Sequence, residues 1–163
     1  MTSHLESIGL SSQRAATITS EFWLALLTGR LLITMVPARV SEASIVLAAS
    51  ALGTVALLAA SVSALAPFAY VAAGLFIAPI FPTGIVWLAR LRPADSRATA
   101  WLYPAASIGG TVGPGVVGIF IGVFGVRVAP LVVAIGAIGM CAAFVFAYRI
   151  TKRESPGINA GSC

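Results

Sequence analysis

Arg30 lies alone in the apolar stretch from Phe22 to Pro37. A guanidinium in such a place can hold backbone carbonyls, water, a polar solute or a group from another chain. It stands nine residues from Arg39, which at about 1.5 Å per helical residue is roughly 13 Å, farther than a snorkelling side chain reaches. An arginine at mid-helix costs roughly 2.5 to 3.5 kcal/mol on insertion scales, so Arg30 is expected to face a bundle interior or a watery cavity. A helix lying shallow in the bilayer would instead let it reach the headgroups. A second chemical feature is the run Gly74-Leu-Phe-Ile-Ala-Pro-Ile-Phe-Pro-Thr-Gly84, with Pro79 and Pro82 three residues apart. Each proline removes an amide donor and frees a carbonyl that a neighbour or water must satisfy. Broken helices of this kind build transporter sites, although a bent packing helix reads the same way. Thr83 beside the prolines, and Tyr103 and Ser107 on a later span, complete the candidate solute pathway.

Other chemistries lack their residues. No nucleophile with a base, no carboxylate pair and no metal cluster occurs in the apolar runs, so an enzyme is not expected, nor is a metal or cofactor. His4, with no cysteine or acid cluster nearby, reads as an ordinary exposed histidine. Cys141 lies in an apolar run and Cys163 is the last residue, so no disulfide framework is implied. The net charge of +5 does not indicate nucleic acid, because the basic residues sit between hydrophobic runs and not beside aromatics on one surface. The glycines around Gly109 do not form a nucleotide loop, since no strand precedes them.

The elements that must position these residues are membrane spans. No residue from Ala43 to Ala89 is charged, a run of 47, and a bilayer core is crossed by about 20 apolar residues in a helix. The run must therefore turn back once, at Ser61 to Pro67. The hydrophobic fraction is 59% and the charged fraction 9%, against about 25% charged residues in soluble domains. The expected fold is an all-α membrane protein of about five transmembrane helices: A (Glu21 to Pro37), B (Ala43 to Ser61), C (Pro67 to Ala89), D (Thr99 to Phe124) and E (Val128 to Tyr148). Residues 1–20 are expected as a polar N-terminal segment that is not a cleaved leader, 21–149 as the membrane region, and 150–163 as a solvated tail. Asp95 or Ser96 is suited to cap helix D. Gly109 with Gly113, and Gly118 with Gly122, form G-x-x-x-G pairs that offer flat faces for close helix packing, so Gly113→Leu is expected to harm folding more than Gly125→Leu. Helices A to E contain no Asp or Glu, with Glu21 only at an edge, and no proton carrier is visible within them.

Charge sets the expected orientation. Arg39, Arg90, Arg92, Arg97, Arg149, Lys152 and Arg153 fall on one side of a five-span chain, and Arg14 and Arg127 on the other. Seven against two assigns the C-terminus to the cytoplasm and the N-terminus to the outside of the cell membrane.

Three motifs also carry a family resemblance: Phe22-Trp23 with Gly29-Arg30-Leu31-Leu32, the run from Gly74 to Thr83, and Gly109-Gly-Thr-Val-Gly-Pro114. In this order on helices A, C and D, they resemble the C-terminal half of major facilitator superfamily transporters, most nearly the fucose permease-like branch, over roughly Ile8 to Arg149. The resemblance implies that helices A to E correspond to the eighth to twelfth helices of a twelve-helix fold, and that the C-terminus is cytoplasmic. The seventh helix and the N-terminal half have no counterpart, and the A/B loop keeps Arg39 but lacks the family's acidic residue and second glycine. The expected function is transport of a small solute by a partial transporter, through alternating access when completed by another half. The expected partners are the lipid bilayer, a small-molecule solute, and a second transporter half or further copies of the chain. A non-transporting scaffold or remnant that binds partner helices is the alternative.

Overall fold

The computed structural model describes residues 1–37, 39–91 and 96–154, the side chains of 91, 96–99, 102 and 151–154 excepted. Its helices are α1 (Thr2–Ser7), α2 (Ser12–Ile33), α3 (Glu42–Ala59), α4 (Ala66–Ile77), α5 (Ile80–Leu91), α6 (Ser96–Phe124) and α7 (Ala129–Glu154), with a 3-10 turn at Val126–Val128. Among the described residues, five stretches are long and apolar enough to cross a bilayer, α4 and α5 together forming one of them. The chain is an all-α, multi-pass membrane protein. Asp95 and the tail from 155 lie outside the described residues.

The first span starts nine residues before the expected Glu21. Ser11 adopts an extended backbone and its hydroxyl accepts from the amide of Arg14, which starts α2 at Ser12. Ala15 and Ile18 then bury against the next hairpin. Composition hid this start, because only one face of residues 12–20 is apolar. The shift moves Glu21 from the edge of the span to the tenth of its 22 residues, so the first span does contain an acid.

α3 is the central helix. It packs antiparallel against α4 and α7, and its buried face is built from Ala43, Val46, Ala49, Ser50, Gly53, Thr54, Ala56 and Leu57. Small residues dominate that face because helices in lipid gain from close backbone approach and not from the hydrophobic effect. Ser50, fully buried, donates to the carbonyl of Leu47 at 3.0 Å and reaches Sγ of Cys141 on α7 at 3.6 Å. Packing then proceeds in layers. Ala56, Leu57, Ala73, Ala134 and Ala137 form the middle one, and Val46, Ala49 and Ile80 another, closed by Trp87, Met140 and Phe144. At one end Glu42, in the first turn of α3, meets Arg90 in the last turn of α5 at 2.8 Å. Arg90 is 68% exposed, so the pair adds about 1 kcal/mol at most, but both charges also suit the helix dipoles they sit on.

α2 and α4 run in the same direction and pack most closely at two glycines. A Cβ built on Gly29 would stand 2.5 Å from the Leu75 carbonyl oxygen and 2.6 Å from Cβ of Ala78. One built on Gly74 would stand 2.6 Å from the Phe22 carbonyl oxygen. Gly53 on α3 is tight against Ile77, at 3.1 Å. The expected packing glycines behave differently within the chain. A Cβ on Gly109, Gly113, Gly118 or Gly122 would meet no neighbouring atom within 4 Å, because α6 has an exposed face along its whole length. Gly125 has φ +85°, where a side chain is strained. The expected ranking of Gly113→Leu and Gly125→Leu is therefore reversed for the folding of this chain.

Gly29→Leu and Gly74→Leu should each lower stability in detergent by roughly 1–3 kcal/mol, the usual cost of overpacking a tight contact. Gly113→Leu should leave the melting midpoint nearly unchanged. Equal losses at all three positions in thermal unfolding would contradict this assignment of the close contacts.

Candidate functional site

The break in the third span centres on Ala78 and Pro79. α4 ends at Ile77 and α5 begins at Ile80, while the amide of Ala78 still bonds the Gly74 carbonyl at 3.2 Å and that of Thr83 the Pro79 carbonyl at 3.1 Å. Pro79 and Pro82 have no amides, so the carbonyls of Leu75 and Ala78, four residues before them, lose their helical donors. Gly29 lies against the first of these. Only a residue with no side chain fits there, since a Cβ would stand 2.5 Å from the Leu75 oxygen. Thr83 is buried, Pro79 and Pro82 are half-buried, and Pro79 also lines a groove between α2 and α3 with Gly29, Ile33 and Ala49.

Arg30 follows the contact glycine and is turned away from it. Ala78, the partner of Gly29, is the thirteenth of the 25 residues of its span. The contact therefore sets Arg30, in the last turn of α2 and nineteenth of its 22 residues, level with the middle of the neighbouring span. Its side chain is exposed on the outside of α2 and makes no ion pair or hydrogen bond among the described residues.

Tyr103 and Ser107 belong to a different face. The Tyr103 ring stands edge-on to Phe81 of α5, with centroids 6.0 Å apart, and is itself exposed. Ser107 donates to the Tyr103 carbonyl at 3.0 Å and Thr111 to the Ser107 carbonyl at 3.1 Å, hydroxyl bonds that follow α6 past Pro104. α6 packs on α5, α7 and the 3-10 turn, and α2 on α4 and α1. Pro79, Pro82 and Thr83 thus lie together, Tyr103 approaches them through Phe81, and Arg30 stands on the opposite flank of α4.

One polar residue expected to be exposed is buried. His4 is only 3% exposed, and its Nδ1 lies 3.1 Å from the Tyr70 hydroxyl. The signal for it was present: Met1, Leu5 and Ile8 have helical spacing, and they pack with Ala15, Ile18 and Ala66. Burial lowers the His4 pKa from its ordinary value. The neutral ring is therefore favoured in the fold, and its contribution is complete above the unfolded value of about 6.5 and lost as pH falls through the lowered folded value. Melting in detergent between pH 7.5 and 5.5 should show a fall in midpoint that His4→Gln flattens, and Tyr70→Phe should cost about 1 kcal/mol at pH 7.5. An unchanged pH profile in the glutamine variant would mean that another group is responsible. No protein-family model, curated protein or solved structure matches this chain.

Proposed function

We propose that the chain is one part of a small-solute transporter of the major facilitator kind, working by alternating access when a further helical bundle completes it. The observation that carries this reading is Arg30, a full charge at mid-depth on an outer face with no counter-charge among the described residues. Left against lipid, it costs roughly 2.5 to 3.5 kcal/mol. A second bundle that encloses water along this face removes that cost and gives the guanidinium a polar solute to hold. The half-broken helix at Pro79 and Pro82, with buried Thr83 beside it, lies on the other flank of α4 and is a second feature of the kind found at transporter sites. Glu21, now inside the first span, is a carboxylate able to carry a proton, a role the sequence had left without a candidate.

The same reading places the C-terminus in the cytoplasm. The Glu42–Arg90 pair holds the start of α3 and the end of α5 together at one end of the bundle, and Arg127 lies with α1 at the other. A scaffold that only binds partner helices is favoured by one observation, the open Gly109/Gly113 face of α6. Arg30 separates the two readings, because a scaffold has no need of a hydrated charge.

Single cysteines at positions 3, 30 and 155, in a background with Cys141 and Cys163 replaced, are to be labelled with a membrane-impermeant thiol reagent in native membranes. Position 3 should react from outside, 155 only from the cytoplasmic side, and 30 should react through water from at least one side. An inert position 30 would favour the scaffold, and reaction of 3 and 155 from the same side would remove the orientation.

Purified chain in liposomes, offered labelled sugars and small drugs, should show no saturable uptake, because five spans supply at most one incomplete bundle. Uptake abolished by Arg30→Ala, with no second protein present, would show the chain to be a complete transporter.

A further inference from the structure

We propose that the cavity under α1 is a binding site for a phosphate-class anion, a phosphate ester in solution or the phosphate of a lipid headgroup. The cavity of about 460 Å³ is lined by His4, Ser7, Ile8, Gly9, Ser61, Ser63 and Arg127. Three segments distant in sequence meet there: the short helix α1, the α3–α4 turn, and the 3-10 turn after α6. The first is held firmly, since Leu5 is fully buried and His4 is bonded to Tyr70. The last is set by Gly125, whose φ of +85° brings the chain out of α6 and into Val126–Val128.

The groups that face the cavity are donors. Arg127 and the hydroxyls of Ser61 and Ser63 are exposed and have no ion pair or side-chain hydrogen bond among the described residues. Ser7 already donates to the His4 carbonyl at 2.7 Å, so it offers lone pairs only. His4 gives Nδ1 to Tyr70. When the Tyr70 hydroxyl is the donor in that bond, the neutral ring carries its proton on Nε2, which becomes a further donor. No carboxylate lines the cavity, and Glu6, the one acid of α1, is exposed outside it.

A cation and two free hydroxyls without an acid select an anion, and a guanidinium suits phosphate oxygens in particular. The donors come from separate segments and so from several directions, which fits tetrahedral oxygens better than the two coplanar oxygens of a carboxylate. The volume lies in the range of small-molecule pockets and exceeds that of a bare phosphate, leaving room for an organic ester. The site is independent of the transport reading, because it lies at the end of the bundle and uses neither Arg30 nor the broken helix.

The test is saturable broadening of the phosphorus NMR line of glycerol 1-phosphate and, separately, of short-chain phosphatidylglycerol, added to the full chain in neutral detergent. At least one probe should saturate. Arg127→Gln should weaken it by about tenfold or more, the loss of one charge-assisted contact, and the Ser61→Ala, Ser63→Ala double variant severalfold. Arg14→Gln, which changes a cation outside the cavity, should bind as the unaltered chain does, and melting of each variant without ligand shows that it is folded. Preference for glycerol 1-phosphate assigns a soluble ester, and preference for phosphatidylglycerol a lipid headgroup. The proposal is overturned if neither probe saturates, if folded Arg127→Gln binds as well as the unaltered chain, or if Arg14→Gln weakens binding as much as Arg127→Gln does.

Discussion

The carbonyl of Leu75 has no amide four residues ahead to bond, because that residue is Pro79, and the residue that lies against it is Gly29. Much of the fold depends on this approach. In hydrocarbon an unpaired carbonyl finds no water, so a proline-broken helix persists only where a neighbour covers the break. Gly29 covers it by having no side chain, and Gly74 lets α2 close on α4 in the same way at the Phe22 carbonyl. The two contacts hold α2 and α4 side by side over much of their length. They also fix the height of α2, and with it the depth of every charge that α2 carries.

Three charges are placed by that one helix. Arg14 comes near the bundle end, Glu21 below it, and Arg30 level with the centre of the neighbouring span. Glu21 and Arg30 are nine residues apart, half a turn out of phase on a helix of about 3.6 residues per turn, so they cannot meet. Glu21 lines the groove between α2 and α4, whereas Arg30 faces outward. A lone cation on the outer flank is thus a consequence of helix phase, and its need for water or a partner is what gives the exposed flank of α2 a functional meaning.

The remaining helices divide the work between them. α3, lined with small residues, organises the packed interior, and α4, α5 and α7 close around it. α6 takes little part in that interior. Its two internal prolines and its glycines expose backbone along one side, which is costly against lipid and suited to a second helix or a wet cavity. The end near α1 differs again. There a short polar helix is held by one buried leucine and one histidine–tyrosine bond, and the surface it covers is rich in donors.

By itself the sequence determined the class of the protein, the number of spans, the turn after Ser61 and the break at Pro79. Each follows from local facts: the length of an uncharged run against the thickness of a bilayer, and the missing amide of a proline. It also marked Arg30 as a charge within the first span, although the earlier start of α2 moves it from the middle of that helix to the last turn. Only the tertiary structure decided which glycines are contact points, because G-x-x-x-G spacing occurs on α6 without a neighbour, while Gly29 and Gly74 lack that spacing and are tightly packed. It decided too that residues before Glu21 belong to the first span and that His4 is buried. Both depend on a partner surface, the start of α4, that lies some fifty or more residues away in sequence. Periodicity within a segment shows which face is apolar. What that face meets, and how deep it sits, is set by helices brought together from elsewhere in the chain.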